Sequence, residues 1–158
     1  MILNIKQTQF GAEPEFEIED TATGETLAKC TSLNHISTEI VFAGQNAYTL
    51  SFEPVLQERE GEKNDLMYSI LEHNRPVGSL YTAEVCQKKI LFVSVGYDYY
   101  EIQFYGGMYQ LYEIGLGTDR HYLCLYQDGQ TVAIVHKPTE VKSHLDTYTV
   151  YLENAQYR

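Results

Sequence analysis

The sequence predicts an all-β protein, a closed barrel or sandwich wound from about a dozen short antiparallel strands. Apolar and polar residues alternate with a period of two along much of the chain. Glycine-bearing reversals at Gly106-Gly107 and Asp128-Gly129 cut the stretch from Tyr97 to His136 into hairpins, and sustained helical periodicity is nearly absent.

In chain order, Ile2, Leu3 and Ile5 begin a first strand that ends before Gly11. Glu13, Glu15, Glu17 and Glu19 then alternate with Pro14, Phe16 and Ile18, which describes a half-buried strand with an acidic outer face. Such a face protects a sheet edge, and it is also a place where a cation or basic partner could be recruited. The chain turns near Thr21-Ala22-Thr23-Gly24 and returns through Leu27 to Cys30. From Ser32 to Val41 the pattern is ambiguous, since Leu33, Ile36 and Ile40 fit a helical face while Ile40, Val41 and Phe42 fit a strand, and a loop followed by a strand is preferred. Tyr48, Leu50 and Phe52 form another strand before Pro54, and Gln57 to Asp65 is charged and aperiodic, as an exposed loop is.

Met67 to Leu80 reads as a hairpin about His73-Asn74-Arg75-Pro76, and Thr82 to Lys89 as one or two helical turns capped by Thr82. Ile90 to Val95 is a β-branched run leading into the central hairpins. A turn at Gly106-Gly107 that pairs Tyr105 with Met108 places Tyr100, Ile102, Phe104, Tyr109 and Leu111 on a core face. Glu101, Gln103, Gln110 and Tyr112 then lie on the other. Asp-Gly suits a type I′ loop, in which both positions take positive φ. With Gln127 facing Gln130, Leu125 opposes Val132, Leu123 opposes Ile134 and His121 opposes His136 on an aliphatic side. The reverse side carries Tyr122, Cys124 and Tyr126 against Val135, Ala133 and Thr131. It is too apolar for free solvation and too polar for a dry centre, so it is a candidate interaction surface. After Lys137-Pro138 breaks the ladder, Thr147 to Leu152 supplies a last strand with Tyr148, Val150 and Leu152 on one side. The eight tyrosines from Tyr97 to Tyr126 read as strand formers with buried rings and rim hydroxyls, in preference to a ligand cage.

The 158 residues suit a single domain over 1–158. With 22 acidic against 11 basic residues the net charge is -11, which repels nucleic acid and anionic lipid. Cys30, Cys86 and Cys124 are odd in number and set among apolar residues, which argues against a disulfide framework and for a reducing compartment. No leader pattern opens the chain and no apolar run approaches the roughly 18 residues of a membrane helix, so a cytoplasmic protein without stable membrane insertion is expected.

Several runs carry a family resemblance: Tyr112-Glu113-Ile114-Gly115-Leu116-Gly117, Tyr122 to Tyr126, Asp128-Gly129, Val132-Ala133-Ile134 and Asp146-Thr147-Tyr148-Thr149-Val150-Tyr151. Between Met67 and Leu152 the chain resembles the C-terminal half of the bacterial tubby-like domains, relatives of the tubby, LURP-one and phospholipid scramblase group. The resemblance implies a twelve-stranded antiparallel barrel about a hydrophobic helix and little about activity. Where that family ends in an apolar helix, this sequence reads Glu153-Asn154-Ala155-Gln156-Tyr157-Arg158. The central helix is therefore lacking or relocated. Large aromatic side chains fill the interior, or the Thr82 to Lys89 segment enters it as a helix, or the protein is incomplete and an apolar cavity awaits a ligand or partner. No basic cluster matches the phosphoinositide site of the eukaryotic members.

For chemistry, His121 and His136 are a candidate metal pair, with His144 as a third imidazole, but two ligands do not complete a site. No cofactor is expected: phosphate-loop, zinc-protease and nucleophile-elbow motifs are absent, and Glu101 and Glu113 fall on opposite faces of their hairpin. Three readings follow. The first is a non-catalytic binding or interaction module, with a protein partner or a second copy on the Tyr122, Cys124, Tyr126, Ala133 and Val135 face. The second is a carrier of an apolar ligand or lipid inside the barrel, and the third is a metal-dependent enzyme using His121 and His136.

Overall fold

Twelve antiparallel strands, each hydrogen-bonded to the next in sequence, return on themselves so that the last pairs with the first in a closed barrel. They are β1 (Ile2–Gln9), β2 (Glu15–Asp20), β3 (Thr26–Leu33), β4 (Ser37–Phe42), β5 (Thr49–Gln57), β6 (Asp65–Glu72), β7 (Arg75–Ile90), β8 (Val93–Phe104), β9 (Gly107–Leu116), β10 (Asp119–Gln127), β11 (Gln130–His136) and β12 (Thr147–Leu152). The structure, a computed structural model, describes residues 1–33, 37–44, 49–57, 65–90, 93–116, 119–137 and 145–153. Side chains are described within these except at 55–57, 65–66, 82–90, 93–97, 114–116 and 119–121. No helix occurs among the described residues.

The ring closes along a ladder that runs from Ile2 opposite Tyr151 to Lys6 opposite Thr147. Beyond its ends, the Met1 amine donates to the Leu152 carbonyl at 3.0 Å. The Gln7 amide donates to the Asp146 carbonyl at 2.8 Å, and the Asp146 amide donates to Gln7 Oε1 at 3.0 Å. Because side chains alternate across a strand, each strand divides its residues between the barrel's interior and its outer wall. Leu3 faces Val150, Ile18 faces Ala28 and Ile40 faces Leu50, with Ala28, Leu50 and Val150 buried. The acidic strip of β2 faces out as its period predicts, and it meets the chain's own cations in Lys6–Glu19 and, at 2.8 Å, Lys29–Glu17.

Two-residue turns set the hairpins. Asp128 and Gly129 adopt φ of 51° and 74°, and His73 and Asn74 adopt 48° and 62°, the left-handed pair that a type I′ loop requires. The β8–β9 turn lies one residue earlier than expected, at Tyr105 and Gly106, with φ of 47° and 79°. Gly107 serves packing instead: a Cβ there would come within 3.1 Å of the Tyr109 ring and 3.3 Å of Gln127 Nε2. The register consequently runs Ile102 with Tyr109 and Tyr100 with Leu111, yet the residues on each face are those expected, because moving the turn by one residue shifts the pairing by two.

Three further expectations are overturned. Thr82 to Lys89 is strand, part of a β7 that pairs with β8 from Gly78 to Ile90, and this long ladder overrides a weak helical pattern. The Ile90 to Val95 run is not one strand, since Ile90 opposes Val93 across a reversal. Pro54 does not end its strand but lies within β5 opposite Tyr68, and the ladder with β6 continues to Gln57. The charged loop assigned to Gln57–Asp65 falls largely on 58–64, outside the described residues.

Gly78 on β7 opposes Phe104 of β8, and a Cβ added there would lie 2.1 Å from the Gln103 carbonyl oxygen. The atom it would meet is backbone, which prevents simple relief. Gly78→Ala is expected to destabilise the barrel by about 1–3 kcal/mol, as overpacking does. Urea unfolding measures this, and an unchanged midpoint would contradict the close approach.

Candidate functional site

Inside the barrel, Leu50, Phe52, Ile70, Leu80, Ile102 and Phe104 form part of the wall of a cavity of about 650 Å3. Tyr105, Gly107 and Gln127 also line it, so it opens at the end that carries the β8–β9 and β10–β11 turns. Geometry explains the space: about eight strands make a barrel that side chains can fill, and the diameter grows with strand number. Among the described residues no large side chain is fully buried, and the buried apolar ones are Ala28, Leu50, Ile70, Val132, Ala133 and Val150.

Further along the axis the inward face becomes polar. Asp98 opposes Glu113, and the Tyr100 hydroxyl donates to Glu113 Oε2 at 3.2 Å. At the seam, Lys137 Nζ lies 2.8 Å from Asp146 Oδ1, and the Tyr148 hydroxyl donates to Asp146 Oδ2 at 3.3 Å. The hydrogen bond to Asp146 raises the Lys137 pKa, and burial raises that of the Tyr148 phenol. Glu101 points outward and Glu113 inward, as expected, so the two do not form a carboxylate pair.

The predicted pairing of His121 with His136 does not form. A bulge in β11 follows the pairing of Tyr126 with Thr131: Leu125 opposes Ala133, leaving Val132 as the extra residue, and Tyr122 rather than His121 opposes His136. The physical reason is burial, since the bulge turns both Val132 and Ala133 away from water. The His136 ring stacks on Tyr122 with centroids 4.9 Å apart. The His121 side chain and His144 lie outside the described ones, and among the described residues no three His, Cys, Asp or Glu side chains converge to hold a metal ion.

The same bulge rewrites the candidate interaction surface. Tyr122, Cys124 and Tyr126 stay together on the outer wall, but Ala133 and Val135 turn inward opposite Leu125 and Leu123, and Ile134 and His136 take their places. Ile134 in turn opposes Tyr151 across β12, and Tyr151 opposes Ile2 across the seam. In the other direction Cys124 opposes Tyr112, and Tyr112 opposes Tyr99. One uncharged row, Ile2–Tyr151–Ile134–Cys124–Tyr112–Tyr99, thus crosses β1, β12, β11, β10, β9 and β8. Tyr99 stacks on Tyr112 at 4.9 Å, and Tyr126 meets Tyr112 edge-on at 5.7 Å. Ile2, Ile134, Tyr151 and the flanking Tyr122 remain 38–49% exposed, so no other part of the described chain covers them. Period-two counting locates the tyrosines of this row, but the contribution of Ile2 and Tyr151 depends on ring closure, which no local pattern announces.

Where the row reaches β8 it ends in a nook of about 270 Å3 lined by Tyr99, Glu101, Met108, Gln110 and Asp128. Glu101 accepts hydrogen bonds from the Tyr81 hydroxyl and, at 2.9 Å, from the Tyr99 hydroxyl. Desolvation and the Glu101 carboxylate hold the Tyr99 phenol above its ordinary pKa.

Comparison of the chain with protein-family models, curated proteins and solved structures finds no match.

Cys30 faces inward between Phe16 and Ile40, where burial pushes its thiol up. A raised folded-state pKa means that the unfolded chain deprotonates first, so this thiol contributes stability below the ordinary thiol pKa that is lost as pH rises through its folded value. Alkylation of Cys30 at pH 8 is expected to be slower than that of an unstructured cysteine peptide and to accelerate at higher pH. Peptide-like reactivity at pH 8 would place the thiol in water.

Proposed function

We propose that the chain is a non-catalytic binding barrel that holds an apolar ligand, such as a hydrocarbon or lipid tail, in its interior. The observation that carries this reading is the cavity of about 650 Å3 walled by aliphatic and aromatic side chains in a barrel with no helix among its described residues. Space of that size falls within the range of small-molecule sites, and apolar walls disfavour water while offering dispersion contacts to a hydrophobic guest.

The proposal extends to family and setting. A closed antiparallel barrel of twelve strands is the architecture that a kinship with bacterial tubby-like domains calls for, and it supports that kinship. An outer wall bearing the Lys6–Glu19 and Lys29–Glu17 pairs around an apolar lining is the reverse of a lipid-facing barrel, which favours work in water. Free Cys30 and Cys124 suit a reducing, cytoplasmic compartment.

The neutral fluorophore 1-aminoanthracene tests the interior. Saturable one-to-one binding is expected, weakened about tenfold or more by Ile102→Trp, which extends an indole into the cavity while leaving the strand ladder intact. Native mass spectrometry of the purified protein is expected to show a bound apolar species. A folded protein that neither binds the fluorophore nor carries such a species would falsify the reading.

A further inference from the structure

We propose that the outer wall of β8–β12 is a docking surface for a basic protein segment that alternates aromatic and cationic side chains, with one cation entering the nook between Glu101 and Asp128. The site is separate from the interior cavity, and it stands whether or not that cavity holds a ligand.

Charge decides the occupant. On β1–β3 two of the three outward carboxylates of β2 are paired with the chain's own lysines, Glu19 with Lys6 and Glu17 with Lys29. The other half of the wall differs. β8, β9, β11 and β12 contain no lysine or arginine at all. Among the described residues Glu101 is served by the tyrosine hydroxyls of Tyr81 and Tyr99, which hold the carboxylate in place without cancelling its charge. Asp128 stands exposed on the facing turn, at the edge of the same nook.

The aromatic row that leads into the nook is partly exposed apolar surface crossing several strands, more than isolated surface hydrophobes account for. A purely apolar partner would bury Glu101 without a counter-ion. A second copy would bring another wall with no lysine or arginine on β8, β9, β11 or β12, and the net charge of -11 on each chain would oppose its approach. A segment with lysine or arginine beside aromatic residues satisfies both demands. Its rings pack on the tyrosine row, its cation pairs with Glu101, and neighbouring cations can sit over exposed tyrosine faces. The excess negative charge would also draw such a segment in.

The probe is an amidated Lys-Phe-Lys-Phe-Lys peptide, titrated against the full chain by calorimetry beside a Glu-Phe-Glu-Phe-Glu control. Binding of the cationic peptide alone is expected, weakened about tenfold by Glu101→Gln, the scale of one charge-assisted hydrogen bond. Tyr122→Ser, at a half-exposed position, is expected to weaken it as well. Glu15→Gln removes the same charge from β2, six strands away around the ring in either direction, and is expected to leave binding unchanged. Equal losses from Glu15→Gln and Glu101→Gln would reduce the effect to overall charge and overturn the site. Failure of the peptide to bind, or equal binding to wild type, Glu101→Gln and Tyr122→Ser, would overturn it too. A dimer in sedimentation that Tyr122→Ser dissociates would give the wall to a second copy, against the proposal.

Discussion

Pairing of the first strand with the last is the constraint on which the other features rest. Once β1 and β12 share a ladder, the circumference is set at twelve strands, and the interior volume follows from that number. The cavity is therefore a property of the ring. Enlarging one or two side chains would narrow it, whereas losing the seam would open the sheet and remove any distinction between inside and outside.

With the ring closed, the two-residue period of each strand assigns every side chain to one of two environments. The inner wall grades from aliphatic and aromatic near the tight turns to hydroxyl and carboxylate groups around Tyr100, Glu113 and Tyr148. The outer wall is divided around its circumference, carrying the Lys6–Glu19 and Lys29–Glu17 ion pairs on β1–β3, aromatic and lacking basic residues on β8, β9, β11 and β12. A guest in the cavity and a partner on the wall would thus meet different chemistries through the same strands. Ile102 lines the cavity and its neighbour Glu101 lines the outer nook.

Much of this was legible in the residues, for a physical reason in each case. Asp-Gly selects a loop with two left-handed residues, so the β10–β11 turn could be placed to the residue. Alternation is robust to an error of two in pairing, which is why the faces of the β8–β9 hairpin survive a misplaced turn. The bulge at Val132 was not legible, because an extra residue leaves no mark on local pattern and answers only to the gain from burying Val132 and Ala133 together. Because of it Ile134 and His136 exchange faces with Ala133 and Val135, and Tyr122 takes the place opposite His136 that counting gives to His121. The seam, and with it the place of Ile2 and Tyr151 beside the tyrosines, depends on contacts between the two ends of the chain. Thr82 to Lys89 shows the remaining limit, where a partner strand outweighs weak local preference.

The seam has a kinetic side as well. Every other ladder joins strands adjacent in sequence and can form as the hairpins zip, while the seam must bring together groups such as Met1 and Leu152, 151 positions apart. Closing so long a loop is entropically the most expensive contact, and a ribbon not yet closed would have two bare borders. Those borders are complementary, so a neighbouring molecule would offer the same match. Intramolecular stitching yields the barrel, whereas head-to-tail joining of open ribbons would yield an open-ended polymer with the same hydrogen bonds.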